Sequence, residues 1–196
     1  MLSRQWVLIA LVSSAATALA VDIPTVDRGW YSAEGEHNID NENYIVGKNG
    51  DMLFHNFFVF DPTGLAQPIA GARLRLYVPA LGGLVTDEGV ETFEVFTVET
   101  PVDVLLDGTG GEGAYADLAS GTLLGQAVAS RRDVDRTLTV PLNEAAIQLL
   151  RDADGPVAFG GVLPTFDDND VFREALFGAS DETPGFARLV IDTADA

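Results

Sequence analysis

Hydrophobic residues along this chain occur in short runs that are typical of β-strands. Residues 55–61 (HNFFVFD) have a continuously apolar centre and run into the turn sequence DPTG. This pattern predicts a strand that is buried on both faces and ends at the turn. Residues 73–78 (RLRLYV) alternate instead, which predicts that Leu74, Leu76 and Val78 face a core while both arginines point outward.

Five more segments have the same strand character and are separated by loops rich in Gly, Asp, Thr and Pro. They are residues 92–98, 137–140, 157–163, 175–177 and 186–191. Several short strands with turn signals between them and little helix favour an all-β fold, an antiparallel β-sandwich.

One segment has helical spacing. Asn143 is a suitable N-cap for a helix over residues 144–151, with an acidic residue in its first turn. Ile147 and Leu150 would share one face, so we expect this short helix to pack against the sheet. Residues 114–118 form a candidate for a second, single-turn helix.

The first twenty residues have the layout of a secretory signal peptide. One positive charge, Arg4, precedes an apolar run, and Ala18-Leu19-Ala20 is a small-x-small cleavage site. The alternative is a membrane anchor, but the run is far shorter than the ~20 residues that span a bilayer. We therefore expect residues 1–20 to be removed and residues 21–196 to form a single secreted domain without membrane insertion.

Charge and cysteine usage exclude several classes of function. The chain has 30 acidic and 11 basic residues and a formal net charge of −19. This balance argues against nucleic acids and anionic membrane surfaces as partners, because both require basic patches. The chain has no cysteine, which excludes disulfides, thiolate metal sites and cysteine nucleophiles.

Enzymatic activity has little support in the sequence. His37 and His55 are the only imidazole bases, and no serine lies in a G-x-S-x-G motif. His55 opens a predicted strand, and His37 lies in a polar stretch whose Asn side chains are typical of turns. We predict no catalytic residues, although activity stays an open alternative.

The densest carboxylate cluster is Asp167, Asp168 and Asp170 in the sequence DDND. Hard cations such as Ca²⁺ take several oxygen ligands, and adjacent acids in a loop can supply them. The cluster lacks the spacing of an EF-hand, and its alternative interpretation is a charged turn. Ca²⁺ is thus the one cofactor that the sequence indicates.

Two adjacent aromatic residues, Trp30 and Tyr31, are the candidate ligand-binding residues. A flat aromatic face can stack on the C–H face of a sugar ring. The alternative is that the pair anchors the first strand onto the core.

The order of several motifs resembles extracellular domains of the DNRLRE type. The motifs are NYIVG, HNFFVFD and IAGARLRLY, at residues 43–47, 55–61 and 69–77. A closer resemblance is to bacterial secreted proteins that often carry a PEP-CTERM sorting tail. The shared motifs are NYIVG, NFFVFD, ETFEVFTVETPVDVLLDGTGG, YADLASGTLLG, VPLNEAAIQLL, FGGVL and ALFGAS. The tail motif is absent from the last residues here. The resemblance implies a jelly-roll-like sandwich and supplies no catalytic residues.

These observations predict a secreted, non-catalytic extracellular module. Its expected partners are extracellular polysaccharide or surface proteins, in a carbohydrate-binding or matrix role. Two alternatives stay open: a secreted glycan-active enzyme, and a subunit of an extracellular polymer joined through an exposed sheet edge.

Overall fold

Antiparallel β-structure dominates the computed structural model, which describes residues 19–65, 68–164, 173–179 and 187–194. Strands take up 49% of the described residues and helices 13%, so the predicted all-β class is confirmed. The described strands are β1 (Leu19–Ser32), β2 (Val46–Asn49), β3 (Met52–Phe60), β4 (Ile69–Val78), β5 (Leu84–Val85), β6 (Val90–Thr97), β7 (Leu123–Ser130), β8 (Arg136–Pro141), β9 (Val157–Val162), β10 (Arg173–Leu176) and β11 (Ala187–Thr193). The described helices are α1 (Val102–Leu106), α2 (Gly111–Asp117) and α3 (Glu144–Asp152).

The long first strand belongs to two parts of the sheet. Residues 19–24 of β1 pair with β11, and residues 25–32 pair with β3, with a register shift between Thr25 and Asp27. Beyond β11 lie β4 and then β8. On the other side, β3 pairs with β9, which is followed by β6 and β7.

The sheet curls until its two ends approach each other. A single bridge between Gly125 and Leu142 brings β7 to the end of β8. A short branch of β2, β10 and β5 extends from the start of β3. The curled sheet encloses the main core, to which most of the strands contribute apolar side chains.

The predicted strands over residues 55–61 and 73–78 are confirmed as parts of β3 and β4, although β3 begins earlier, at Met52, and ends at Phe60. Leu74, Leu76 and Val78 are buried in the main core, as their alternation predicts. Phe58 and Phe60 also face this core, whereas Phe57 and Val59 belong to a second apolar cluster. The continuous apolar run of β3 therefore has a physical cause: both of its faces are covered.

The predicted helix is confirmed as α3. Asn143 Oδ1 accepts a hydrogen bond from the backbone N–H of Ala146 at 3.2 Å, which is the N-cap contact. Ile147 and Leu150 are buried in the main core on the shared face.

Helices α1 and α2 correct the expectation of one short packed helix. Both pack on the outer face of the sheet, on the side away from the main core. Helix α1 has only five residues, too few for helical periodicity to show in the sequence. Helix α2 covers all but the last residue of the predicted turn over residues 114–118, and it starts earlier, at Gly111.

Strands β1, β2, β5 and β7 carry no clear strand signal in the sequence. β7, for example, reads LLGQAVAS, where small residues and a glycine weaken the alternation. Within the described ranges, none of the helices is both long and apolar enough to cross a membrane.

Candidate functional site

Both histidines of the chain lie on the outer face of β1 and β3, where they adjoin Tyr31. His55 is paired with Tyr31 across the two strands, and the His37 ring stacks on the Tyr31 ring with centroids 4.9 Å apart. Phe57 lies beside His37, and Tyr115 of α2 covers His55. We call Tyr31, His37, His55, Phe57 and Tyr115 the outer layer.

His55 attaches helix α2 to strand β3. Its ring lies parallel to the Tyr115 ring, with 1° between the planes and 3.9 Å between the centroids. Its Nδ1 lies 2.8 Å from the backbone oxygen of Tyr115. A carbonyl oxygen can only accept, so Nδ1 carries the proton and donates it.

His37 attaches the loop that follows β1. Its Nδ1 donates to the backbone oxygen of Trp30 at 2.8 Å. The ring occupies the space over Gly29, where an added methyl group would come within 2.8 Å of Cε1. On its other side, a methyl group at Gly108 would lie 3.3 Å from Cδ2, so the ring is held between β1 and the α1–α2 junction.

The loop that carries His37 is stabilised by its own Asn side chains. Asn38 Oδ1 accepts from the backbone of Asp40, and Asn41 Oδ1 accepts from the backbone of Asn43. These are the local turns predicted for this polar stretch.

Tyr31 is buried and fixes helix α1 to the sheet. Its hydroxyl lies 3.1 Å from the backbone oxygen of Val104 and 3.0 Å from that of Leu105, at hydrogen-bond distance from both. Burial raises the pKa of Tyr31, and the nearby carboxylate of Asp107 acts in the same direction. The hydroxyl is therefore a neutral donor at physiological pH.

The electrostatics of the outer layer favour neutral imidazoles. Burial lowers the pKa of both His37 and His55 below the ordinary value of 6.5. The hydrogen bonds to carbonyl oxygens raise the pKa of both rings, and the carboxylate of Asp27 also raises that of His37. Burial is the larger influence on both pKa values. Within the described ranges, neither ring is hydrogen-bonded to a hydroxyl or a carboxylate, so this geometry holds no nucleophile–base pair.

A group of three carboxylates lies elsewhere, where the start of β6 approaches β10. Glu88, Glu91 and Glu174 can each bring one oxygen within 4.8 Å of the others. Glu88 is exposed, whereas Glu91 and Glu174 are buried and also interact with neighbouring groups. Carboxylate oxygens are the ligands that Ca²⁺ and Mg²⁺ prefer, so these residues could hold such a cation. The sequence does not reveal this group, because Glu88 and Glu91 at the start of β6 are far along the chain from Glu174 in β10.

The two predicted aromatic residues occupy different environments. Tyr31 is completely buried, so its ring matches the anchor alternative and offers no face to a sugar in this structure. Trp30 is partly exposed and packs edge-to-face on Phe54, with centroids 5.0 Å apart. The predicted Ca²⁺ ligands Asp167, Asp168 and Asp170 lie outside the described residues.

No protein-family model matches this chain, and no curated protein matches it. The resemblance to secreted bacterial sandwich proteins therefore stays a prediction.

Proposed function

We propose that this chain is a secreted, non-catalytic extracellular module that binds polysaccharide or a surface protein. The observation that carries the proposal is the use of both imidazoles in packing. His37 and His55 each donate to a backbone carbonyl and stack on a tyrosine, which leaves them no catalytic geometry in the described residues. The motif resemblance supports the same interpretation.

The finer architecture of the proposal is a jelly-roll-like sandwich. Two features support it. β1 takes part in both halves of the curled sheet, and strands distant in sequence, such as β1 and β11, are neighbours. Folds of this kind carry binding sites on exposed faces and loops, and the function depends on the site rather than on the fold.

Trp30 is the residue on which we expect a ligand to bind. It is the partly exposed member of the predicted aromatic pair, and its ring is fixed by Phe54. A pre-positioned aromatic ring loses little entropy when it stacks on a sugar.

Binding to immobilised alginate, dextran, cellulose and xylan tests the proposal. We expect the wild-type protein to be retained on at least one of them without releasing reducing sugar. The affinity of Trp30→Ala should be lower by at least about tenfold, equivalent to about 1.4 kcal/mol. Leu81→Ala is the matched control, since Leu81 is also an exposed apolar side chain. Release of reducing sugar would instead support the glycan-active enzyme. Equal retention of Trp30→Ala and wild type would exclude Trp30 from the binding face.

Export is tested separately by N-terminal sequencing of secreted material. We expect the mature chain to begin at Val21, immediately after Ala20. Strand β1 begins at Leu19, so cleavage after Ala20 would remove its first two residues and leave residues 21–24 to pair with β11. An intact Met1 on a membrane-bound product would contradict the export proposal.

A further inference from the structure

A cleft opens beside β1 at the point where this strand changes partners. Strand β11 pairs with β1 as far as Pro24, and from Asp27 onward β3 is the described strand that pairs with it. The register shift between Thr25 and Asp27 leaves Val26 between the two pairings, and this side chain is 55% exposed. Bulges of this kind redirect a side chain and often lie next to functional sites.

The loop that follows β1 forms the other wall of this cleft. We call the cleft lined by Val26, Asp27, Arg28, Ile39 and Glu42 the β1 cleft. Its volume is about 260 Å³, just below the roughly 300–1,000 Å³ of pockets that enclose drug-sized ligands. The β1 cleft therefore has room for one small ring, and a longer ligand would continue outside it.

Both walls of the β1 cleft are held in place by contacts within the chain. Arg28 Nε donates to the backbone oxygen of Glu42, and Arg28 Nη2 donates to Glu42 Oε2, both at 3.0 Å. In the loop, Asn38 Oδ1 accepts from the backbone N–H of Asp40 at 3.0 Å and so fixes the turn that carries Ile39. A site that is formed in advance loses little conformational entropy when a ligand binds.

Three polar atoms of the β1 cleft stay open to a ligand. Arg28 is only 4% exposed, but its Nη1 makes no hydrogen bond to the described residues and is not enclosed, so the exposed part of this side chain includes a donor. Asp27 Oδ1 accepts from the backbone N–H of Arg28 at 2.7 Å, which leaves Oδ2 as an open acceptor. Glu42 Oε2 accepts from Arg28, which leaves Oε1 open in the same way.

One donor beside two carboxylate acceptors matches neutral hydroxyl groups. A hydroxyl donates to a carboxylate and accepts from a guanidinium, so adjacent hydroxyls of a sugar ring can satisfy both kinds of group. A carboxylated sugar would meet two carboxylates in a chain whose net charge is −19, and this repulsion disfavours it. Val26 and Ile39, which are 55% and 63% exposed, offer apolar surface to the C–H groups of the ring.

We propose that the β1 cleft binds one unit of a neutral polysaccharide. Arg28 Nη1 donates to a ring hydroxyl, the two carboxylates accept from neighbouring hydroxyls, and Ile39 packs on the ring. Arg28 and Trp30 are two residues apart on β1, so they point to the same side of the strand about 7 Å apart. A polymer that runs along β1 from the cleft reaches Trp30 next. The inference rests on the proposed function and narrows its ligand to an uncharged glycan.

The choice of glycan tests the inference on the full wild-type chain. Dextran and cellulose are uncharged, whereas alginate carries a carboxylate on every sugar unit. We expect retention on at least one neutral polymer and none on alginate. The retention should not weaken between about 0.1 and about 1 M NaCl, where the Debye length falls from about 10 to about 3 Å.

The outcomes of this comparison separate the inference from the proposed function. Retention on alginate that equals or exceeds retention on both neutral polymers, or retention that is lost in salt, would overturn the neutral-glycan assignment and leave the proposed function standing. Retention on none of the three would overturn the assignment together with the polysaccharide form of the proposed function.

Asp27→Asn tests the polar side of the β1 cleft. Asn Oδ1 can still accept from the backbone N–H of Arg28, but its amide nitrogen presents a donor where Oδ2 was an acceptor. We expect the affinity for the neutral glycan to fall by at least about tenfold. Asp154→Asn removes the same charge from an exposed position outside the cleft and should bind like the wild type. Circular dichroism verifies that both variants are folded.

Ile39→Ala tests the apolar side of the β1 cleft at a side chain whose exposure makes truncation harmless to folding. We expect a several-fold loss of affinity, whereas Leu81→Ala, at a side chain that is 82% exposed, should bind like the wild type. If Trp30→Ala loses binding while Asp27→Asn and Ile39→Ala bind like the wild type, the chain has a glycan site that excludes the β1 cleft. That result would overturn the inference and leave the proposed function standing.

Discussion

The main core and the outer layer lie on opposite faces of β3, and different interactions dominate in each. Inside the curled sheet, Phe58 and Leu76 are buried among other apolar side chains and contribute by being removed from water. Outside it, Tyr31, His37 and His55 combine ring stacking with hydrogen bonds to backbone carbonyls. The hydrophobic effect that stabilises the core has no preferred direction, whereas each hydrogen bond of the outer layer requires a particular geometry.

This difference determines how each region responds to change. Truncation of a core side chain should lose stability through the lost burial and through the cavity that the surrounding side chains leave unfilled. The outer layer should respond instead to small steric changes, because its ring stacks and its hydrogen bonds to carbonyls require a particular geometry. The following predictions test this contrast, beginning with the largest effect.

Truncation in the main core should have the largest effect. Phe58→Ala and Leu76→Ala should each cost about 2–5 kcal/mol of unfolding free energy, from lost burial and the cavity left behind. This is a large share of the roughly 5–15 kcal/mol that stabilises a typical domain. Urea denaturation of both variants measures the loss, and Leu81→Ala, at an exposed position, should change stability by less than about 0.5 kcal/mol. Wild-type midpoints for both core variants would contradict the assigned role of β3 and β4.

Crowding the outer layer should have an intermediate effect. Gly29→Ala adds a methyl group within 2.8 Å of His37 Cε1 and 3.0 Å of the Phe57 ring. We expect a loss of about 1–3 kcal/mol from overpacking, with the loop that carries His37 displaced. Thermal unfolding gives the stability, and the His37 NMR resonance reports the displacement.

Gly113→Ala is the control for that substitution. A methyl group at Gly113 meets nothing within 4 Å, and the residue lies in α2. Alanine is the better helix former, so we expect a gain of about 0.5–1 kcal/mol. Equal effects of the two alanines would show that the space over Gly29 is not filled as the structure describes.

The contrast also explains what the sequence could reveal. Strands with strong patterns, such as β3 and β4, are predictable because burial leaves a periodic trace. The cap at Asn143 is predictable because it is a local interaction. The outer layer is not predictable from the sequence, because His37 and His55 are brought together only by the pairing of β1 with β3.

The two aromatic candidates illustrate the same limit. Trp30 and Tyr31 are adjacent in the sequence and chemically similar, so the pair alone does not indicate which ring is buried. Alternation along β1 places them on opposite faces, and α1 then covers Tyr31. The covering helix has five residues and no detectable pattern, which is why the distinction required the structure.

The smallest predicted effect is electrostatic and should act on both regions alike. A net charge of −19 opposes the compact state, and moderate salt should relieve this repulsion. Melting temperatures should therefore rise from low to moderate ionic strength by similar amounts in NaCl, MgCl₂ and CaCl₂ at matched ionic strength. Circular dichroism measures the melting.

A Ca²⁺ site at Asp167, Asp168 and Asp170 would add a local increment to that general effect. Binding to the folded state alone raises stability by mass action, so CaCl₂ would exceed the other two salts. Asp168→Asn should abolish the increment, whereas Asp154→Asn removes the same charge from an exposed position elsewhere and should leave it intact. Equal curves in all three salts would exclude the Ca²⁺ site. A melting temperature that does not depend on salt at all would show that charge repulsion has no measurable effect on the stability of the protein.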